Sequence, residues 1–191
     1  YDDALPECGA LTVASSMQDA LTGADWVQES VPETLGLKQT VLAQIETSAA
    51  KDALIASSTS GFKPSVLAEH LASPGRFAVC HPFNPVYLLP LVEVVPGAAT
   101  TPETVARAEA TLAGLAMKPL VLRREVDAHI ADRLLEAVWR EALWLVRDGI
   151  ATTEEIDTAI TFGFGPRWAQ MGLFETYRIA GGEAGMAHFL A

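Results

Sequence analysis

Cysteine is scarce: the 191 residues contain two, Cys8 and Cys80. Two so differently placed thiols argue against a disulfide framework, and no Cys/His spacing matches a zinc site, so the expected compartment is the cytosol. Positive charge is the next shortage, with 13 Lys plus Arg against 24 Asp plus Glu and a formal net charge of −11. A phosphate backbone or an anionic membrane surface would need a clustered Lys/Arg field, which this sequence never assembles; neither nucleic acid nor membrane is an expected partner. No apolar run approaches the ~20 residues that span a bilayer, and no basic segment leads into an apolar one at the start. A glycine-rich phosphate turn is missing as well. Gly163-Phe164-Gly165 lacks a third glycine and a preceding strand, and Gly181-Gly182-Glu183-Ala184-Gly185 follows a helical stretch. The first residues, Tyr1-Asp2-Asp3, carry no initiator Met, and the expectation is a chain that begins inside a larger protein.

What is present is globular: half of the residues are hydrophobic, enough for a buried core in one domain or two small ones. Residues 1–22 are weakly patterned. From there, apolar segments alternate with helical periodicity. Trp26-Val27-Gln28 reads as a strand, the spacing of Leu35, Leu37, Val41, Leu42 and Ile45 predicts a helix to Ser48, and Ala53–Ser57 reads as a buried strand. A short helix is expected over Pro64–Leu71, strands at Phe77–His81 and Leu91–Val95, a helix over Thr101–Leu115 and a further strand at Pro119–Leu122. This rhythm predicts an α/β fold with a parallel, doubly wound sheet covered on both faces, in which ligands sit at the carboxyl ends of strands.

After Arg123-Arg124-Glu125 the pattern changes to long helices. Ile130, Leu134, Leu135, Val138, Ala142, Leu145 and Val146 form one broad apolar stripe, ended by Asp148-Gly149. Thr152-Thr153-Glu154-Glu155 opens a second helix with a capping signature, Gly163–Trp168 is expected to be a loop, and a helix resumes over Leu173–Ala180. The expected division is residues 1–124 for the sheet-bearing domain and 125–191 for an all-helical domain. A small helical domain cannot cover so wide a stripe alone, which predicts a homodimer.

Two clusters could carry chemistry. In His81-Pro82-Phe83-Asn84-Pro85 followed by Glu93, a histidine closing one strand and a carboxylate in the next could converge as a base and its orienting partner. A plainer reading makes His81 a strand cap, Asn84 a turn residue and Glu93 a solvent-facing edge group. Ser57-Ser58-Thr59-Ser60-Gly61 ends a buried strand and could present hydroxyls and N–H groups to a ligand, or could be an ordinary strand-to-helix turn. Cys80 adjoins His81, but neighbours on a strand face opposite ways. Cys80 is therefore expected to be a buried hydrophobe.

Taken together, Glu29-Ser30-Val31-Pro32-Glu33 with Lys38, Ser57-Ser58-Thr59-Ser60, His81-Pro82-Phe83-Asn84-Pro85, Leu91-Val92-Glu93 and Asp132-Arg133-Leu134 resemble the 3-hydroxyacyl-CoA dehydrogenase family from about residue 24 onward. Tyr87–Pro90, Trp139–Ala142, Gly165–Gly172 and Tyr177–Gly182 are most similar to its carnitine-type members. The resemblance implies the later part of a Rossmann-type NAD-binding domain followed by part of a helical domain, the family's first strand and glycine turn lying upstream. An isolated chain of this extent would then lack the element that receives the NAD pyrophosphate.

By the same resemblance, His81 is the catalytic base, Glu93 orients it and Ser60 bonds the reacting oxygen. Glu33 and Lys38 lie by the nicotinamide-side ribose, joined by Ser60, and Asn84 lies near the nicotinamide. The implied reaction is NAD-dependent oxidation of the 3-hydroxy group of L-carnitine to 3-dehydrocarnitine. Trp168, Phe174 and Tyr177 are candidates for an aromatic wall around the trimethylammonium group, and also ordinary core aromatics; Asp132 completes the substrate-side set. The family usually carries Gly-Phe and then Asn where this chain has Ala128-His129 and then Asp132, although Asp is normal for carnitine-type members. Arg167–Gly172 replaces a small-residue Met-Gly-Pro segment, which argues against a long pantetheine-linked substrate. Rivals within the fold are a gulonate 3-dehydrogenase and a CoA-ester dehydrogenase, and from another class a non-catalytic binding module. No metal is implied.

Overall fold

A computed structural model describes residues 9–190; Cys8 and the chain start lie outside the described residues. The elements follow in the order α1 Met17–Leu21, β1 Trp26–Glu29, α2 Leu35–Ser48, β2 Leu54–Ser57, α3 Pro64–Leu67, β3 Phe77–Pro82, β4 Leu91–Pro96, α4 Pro102–Gly114, β5 Lys118–Val121, α5 Ala131–Arg147, α6 Thr153–Ala159, α7 Gly165–Ala180 and α8 Ala187–Leu190. Two compact units result among the described residues, one up to Arg133 and one from Leu134.

In the first unit, five strands lie side by side in chain order. β1, β2 and β3 are parallel, and β5 is parallel to β4. The expectation of an all-parallel sheet fails at one junction: β4 runs antiparallel to β3, with His81 opposite Glu93 and Val79 opposite Val95. Only eight residues separate β3 from β4, too few for the crossover that a parallel return requires. Strand alternation then sorts the core into two layers. Val27, Ile55, Phe77, Val79 and Val95 pack with Leu42 and Ile45 of α2 on one face. Leu54, Ala56, Cys80, Val92 and Val94 pack with Ala108 and Leu112 of α4 on the other. The sheet is thus covered on both faces.

The α2 face ends in polar groups. Continuing its alternation beyond Val27, Ile55 and Val79 brings Glu29, Ser57 and His81, all at carboxyl ends of parallel strands, and Glu93 opposite His81 joins them from the antiparallel one. All four are buried. The expected helix over Pro64–Leu71 is shorter, ending at Leu67, and Ser16 caps the short α1 that the weak pattern of residues 1–22 did not announce.

In the second unit, Thr152 and Glu155 form a capping box, each accepting the other's backbone N–H. The loop expected over Gly163–Trp168 is helical: a π-helical turn over Ile160–Phe164 runs into α7, so Trp168 lies inside a helix. The breaks sit at single glycines. Gly163 leaves helical geometry at φ −102° and ψ −107°, and Gly172 at φ 71° and ψ −174°. The second is a left-handed position that glycine tolerates, while Pro166 suits a first helical turn. Ala137, Val138, Ala142, Leu145, Ile156, Ile160 and Phe164 line an apolar groove within this unit. Among the described residues, no helix is long and apolar enough to cross a membrane.

Candidate active site

His81 and Glu93 meet as a cross-strand pair. Nδ1 of His81 lies 3.1 Å from Oε2 of Glu93, and because a carboxylate accepts, Nδ1 carries the proton and Nε2 is left as the basic nitrogen. The plainer sequence reading, a solvent-facing Glu93, does not describe this geometry, since Glu93 is wholly buried. Its other oxygen, Oε1, accepts the N–H groups of Ile130 at 2.9 Å and Ala131 at 3.0 Å. Glu93 therefore caps the start of α5, where amide donors and helix dipole favour an anion. Burial pushes its proton affinity up, but the bond from His81, the two backbone donors of Ala131 and Ile130 and the nearby His129 imidazole outweigh that and hold the carboxyl below its ordinary 4.5.

That direction fixes a pH dependence. A carboxyl that is more acidic folded than unfolded stabilises the fold fully above pH 4.5, and the contribution is lost as pH falls through the folded value. Urea midpoints followed from about pH 7 to about pH 3 should drop less steeply for Glu93→Gln than for the wild-type protein. Parallel curves would remove Glu93 as a source of acid sensitivity.

Oδ2 of Asp132, in the first turn of α5, lies 3.9 Å from Nε2 of His81. Asp132 is thus beside the basic nitrogen. Cys80 faces away, in the opposite core layer, and burial pushes its thiol up to about 12, so it is no nucleophile at neutral pH.

A second polar cluster joins β1, α2 and the turn after β2. Lys38 is buried, and its ammonium donates to Glu29 Oε1 at 3.1 Å, Glu29 Oε2 at 3.3 Å and the Val31 carbonyl at 3.0 Å, with Glu33 Oε2 at 3.4 Å. Glu29 also accepts the Ser57 hydroxyl at 2.5 Å and the Val31 N–H at 2.6 Å. The exposed member is Glu33, whose Oε1 takes the Thr59 hydroxyl and, at 3.2 Å, the Gly61 N–H. Ser60 is half-buried between those two residues, and Asn84 is exposed in the link between β3 and β4. Lys38 is consequently an internal counter-ion that aims Glu33, rather than a surface donor. A fixed carboxylate beside hydroxyls suits a ribose diol.

The three aromatic candidates do not form one cluster. Trp168 packs on Phe164 with ring centroids 4.5 Å apart, and Tyr177 meets Phe189 edge-on at 5.0 Å. Phe174 is largely exposed, and Gly172 breaks the helix between Trp168 and the other two.

Sequence reasoning missed Glu29, Thr59 and His129. A carboxylate closing the apolar run Trp26-Val27 was a usable signal for Glu29. His129 gave none, since its partners come from distant segments: Nε2 lies 3.1 Å from the Thr59 carbonyl, and its ring lies 5.5 Å from that of His81.

Comparison with known proteins places the chain. Residues 3–126 match the 3-hydroxyacyl-CoA dehydrogenase NAD binding domain, and residues 129–191 match the 3-hydroxyacyl-CoA dehydrogenase C-terminal domain. The chain belongs to the 3-hydroxyacyl-CoA dehydrogenase family. It is 62% identical over 191 residues to an L-carnitine dehydrogenase/betainyl-CoA thioesterase of Agrobacterium fabrum, covering all of this chain and 39% of that protein. An L-carnitine dehydrogenase of Mesorhizobium japonicum is 55% identical over 188 residues, covering 98% of this chain and 52% of that one. The chain thus spans between about two fifths and half of these relatives. Among solved structures, a 5-formyl-3-hydroxy-2-methylpyridine 4-carboxylic acid 5-dehydrogenase, described as an NAD+ dependent dismutase, superposes with a TM-score of 0.89 at 33% identity, covering 98% of this chain and 60% of that one. A 3-hydroxyacyl-CoA dehydrogenase of Archaeoglobus fulgidus gives 0.75 at 29% identity, covering 88% and 56%.

Proposed function

We propose that the protein carrying this chain oxidises the 3-hydroxy group of L-carnitine to 3-dehydrocarnitine with NAD. The observation that carries the reading is the buried His81–Glu93 pair at the carboxyl edge of the sheet, in a chain 62% identical to a protein named for that activity. Bound NAD supplies the hydride acceptor. Everything else falls to the chain's own residues. Nε2 of His81 removes the hydroxyl proton, Glu93 holds the tautomer and balances the imidazolium, and Ser60 orients the reacting oxygen. Asp132, 3.9 Å from Nε2, lends negative potential where positive charge develops. Glu33 receives the ribose, aimed by Lys38, and Asn84 flanks the nicotinamide.

In this reading Trp168, Phe174 and Tyr177 are separate candidate aromatic faces for the trimethylammonium group rather than one wall, each contact being worth roughly 0.5–2 kcal/mol. The exposed apolar residues Leu134, Leu135, Trp139 and Leu143 of α5 support homodimer formation. Steady-state NAD reduction by the full-length protein tests the reading with L-carnitine, a neutral 3-hydroxy acid of similar size and 3-hydroxybutyryl-CoA. L-Carnitine should give the highest kcat/KM. Trp168→Leu or Tyr177→Leu should raise KM for carnitine roughly 3- to 30-fold with little change for the neutral acid. Preference for the CoA ester would reassign the substrate, and equal losses on both small substrates would remove the aromatic subsite.

A further inference from the structure

Between β5 and α5, residues 128–131 make four long-range bonds in two directions. The Ala128 N–H donates to the Gly61 carbonyl at 3.1 Å, and the His129 imidazole engages the Thr59 carbonyl at 3.1 Å. The next two N–H groups, of Ile130 and Ala131, both donate to Glu93 Oε1. This reversal needs two consecutive left-handed residues, Ala128 at φ 57° and His129 at φ 50°, a conformation that non-glycine residues adopt at a cost and keep only when their surroundings hold them there. Ser60 sits between the two carbonyls that receive this segment. One short stretch therefore ties the turn carrying Ser60 to the carboxylate that orients His81.

The His129 ring is the side-chain fastener of that stretch. A carbonyl oxygen can only accept, so Nε2 bears the proton. Nδ1 is buried and finds no partner among the described residues, and a buried polar atom left unpaired is unfavourable. An apolar ring would avoid that orphan nitrogen. What it would lose is the bond to Thr59.

We infer that His129 is a positioning residue, which through its Nε2–H bond to Thr59 fixes the Ser60 turn against the His81–Glu93 pair and so sets the spacing between the hydroxyl-binding group and the base. The inference rests on the proposed dehydrogenase reading and extends it to a residue that touches neither substrate nor cofactor. Both imidazoles then serve one carboxylate: His81 bonds it directly, and His129 anchors the backbone that caps it.

The test uses the full-length protein. His129→Phe keeps a ring and removes the donor, whereas His129→Gln keeps a donor and removes the ring. His129→Phe should lower kcat roughly tenfold or more, with KM for NAD within about twofold, because misplacing a hydroxyl against its base weakens the transition state and leaves ground-state binding of the dinucleotide alone. His129→Gln should recover most of that loss. A Phe variant with normal kcat, or a Gln variant no better than Phe, overturns the inference. Nitrogen-15 NMR of histidine-labelled wild-type protein provides a readout independent of turnover and of any variant's folding. His129 should show a protonated Nε2 and a bare Nδ1; the opposite tautomer overturns the assignment. If the wild-type protein oxidises no 3-hydroxy substrate, the functional reading falls, and the NMR tautomer still decides whether His129 makes the bond.

Discussion

His81→Asn and Glu93→Gln are each expected to cut turnover of the full-length protein by about 10²-fold or more while circular dichroism stays close to wild type. For His81→Asn the reason is direct: the imidazole that takes the hydroxyl proton in the proposed reaction is gone. For Glu93→Gln the argument is subtler. The amide oxygen of Gln can still accept from Ile130 and Ala131, so the start of α5 remains capped. Its NH2 group, however, then faces Nδ1 of His81 and favours the tautomer in which Nδ1 accepts and Nε2 carries the proton. The base is present but already protonated at the nitrogen that should do the work, the same fault that an Asp-to-Asn change causes in a serine protease triad. Near-normal turnover in either variant would remove the pair from the mechanism, and a pre-steady-state measurement would show whether proton removal is the step that slows.

The second large effect is on stability. Lys38→Met should destabilise the protein by about 3–5 kcal/mol, because it leaves Glu29 charged, buried and without its counter-ion. Lys38 and Glu29 are both almost fully inaccessible, and two carboxylates, Glu29 and Glu33, share the one ammonium. Urea unfolding checks the magnitude, and the double variant Lys38→Met with Glu29→Leu should recover much of the loss, since an apolar pair of similar volume avoids the stranded charge. The exposed pair Lys63–Asp127, at 2.9 Å, provides the contrast: solvent screens it, and its removal should leave the urea midpoint close to wild type. A small effect at Lys38 would mean that water reaches Glu29 once the lysine is gone.

How much of this was legible beforehand depended on how local each signal was. The strands were readable because β-branched and small apolar residues run together in Leu54–Ser57, Phe77–Cys80 and Leu91–Val95, and α5 was readable because its apolar residues repeat at helical spacing. The direction of β4 is not readable from its composition, which is the same in either sense; the clue is the eight-residue link, too short for a parallel crossover. Gly163–Trp168 was misread because glycine and proline usually interrupt helices, whereas here Pro166 opens one and Gly163 and Gly172 break it at single residues. His81 and Glu93 were found through their motif. His129 depends on Thr59, seventy residues away, and no local pattern encodes that contact. Lys38 was assigned to the ribose by resemblance, and only the fold reveals that its ammonium is committed inward.

The antiparallel return of β4 also governs which changes in length the protein can absorb. His81 and Glu93 face one another because they are register partners across two neighbouring strands, so the eleven positions between them divide into rigid strand and slack tether. Residues 84–90 are exposed, and the part of the tether after Asn84 can lengthen without disturbing the pair. A slip of one residue within β4 is another matter: it would set Val92 or Val94 against the imidazole and turn the carboxylate into the opposite layer, beside Cys80. Parity in the strand, rather than distance along the chain, is what natural variation must preserve here.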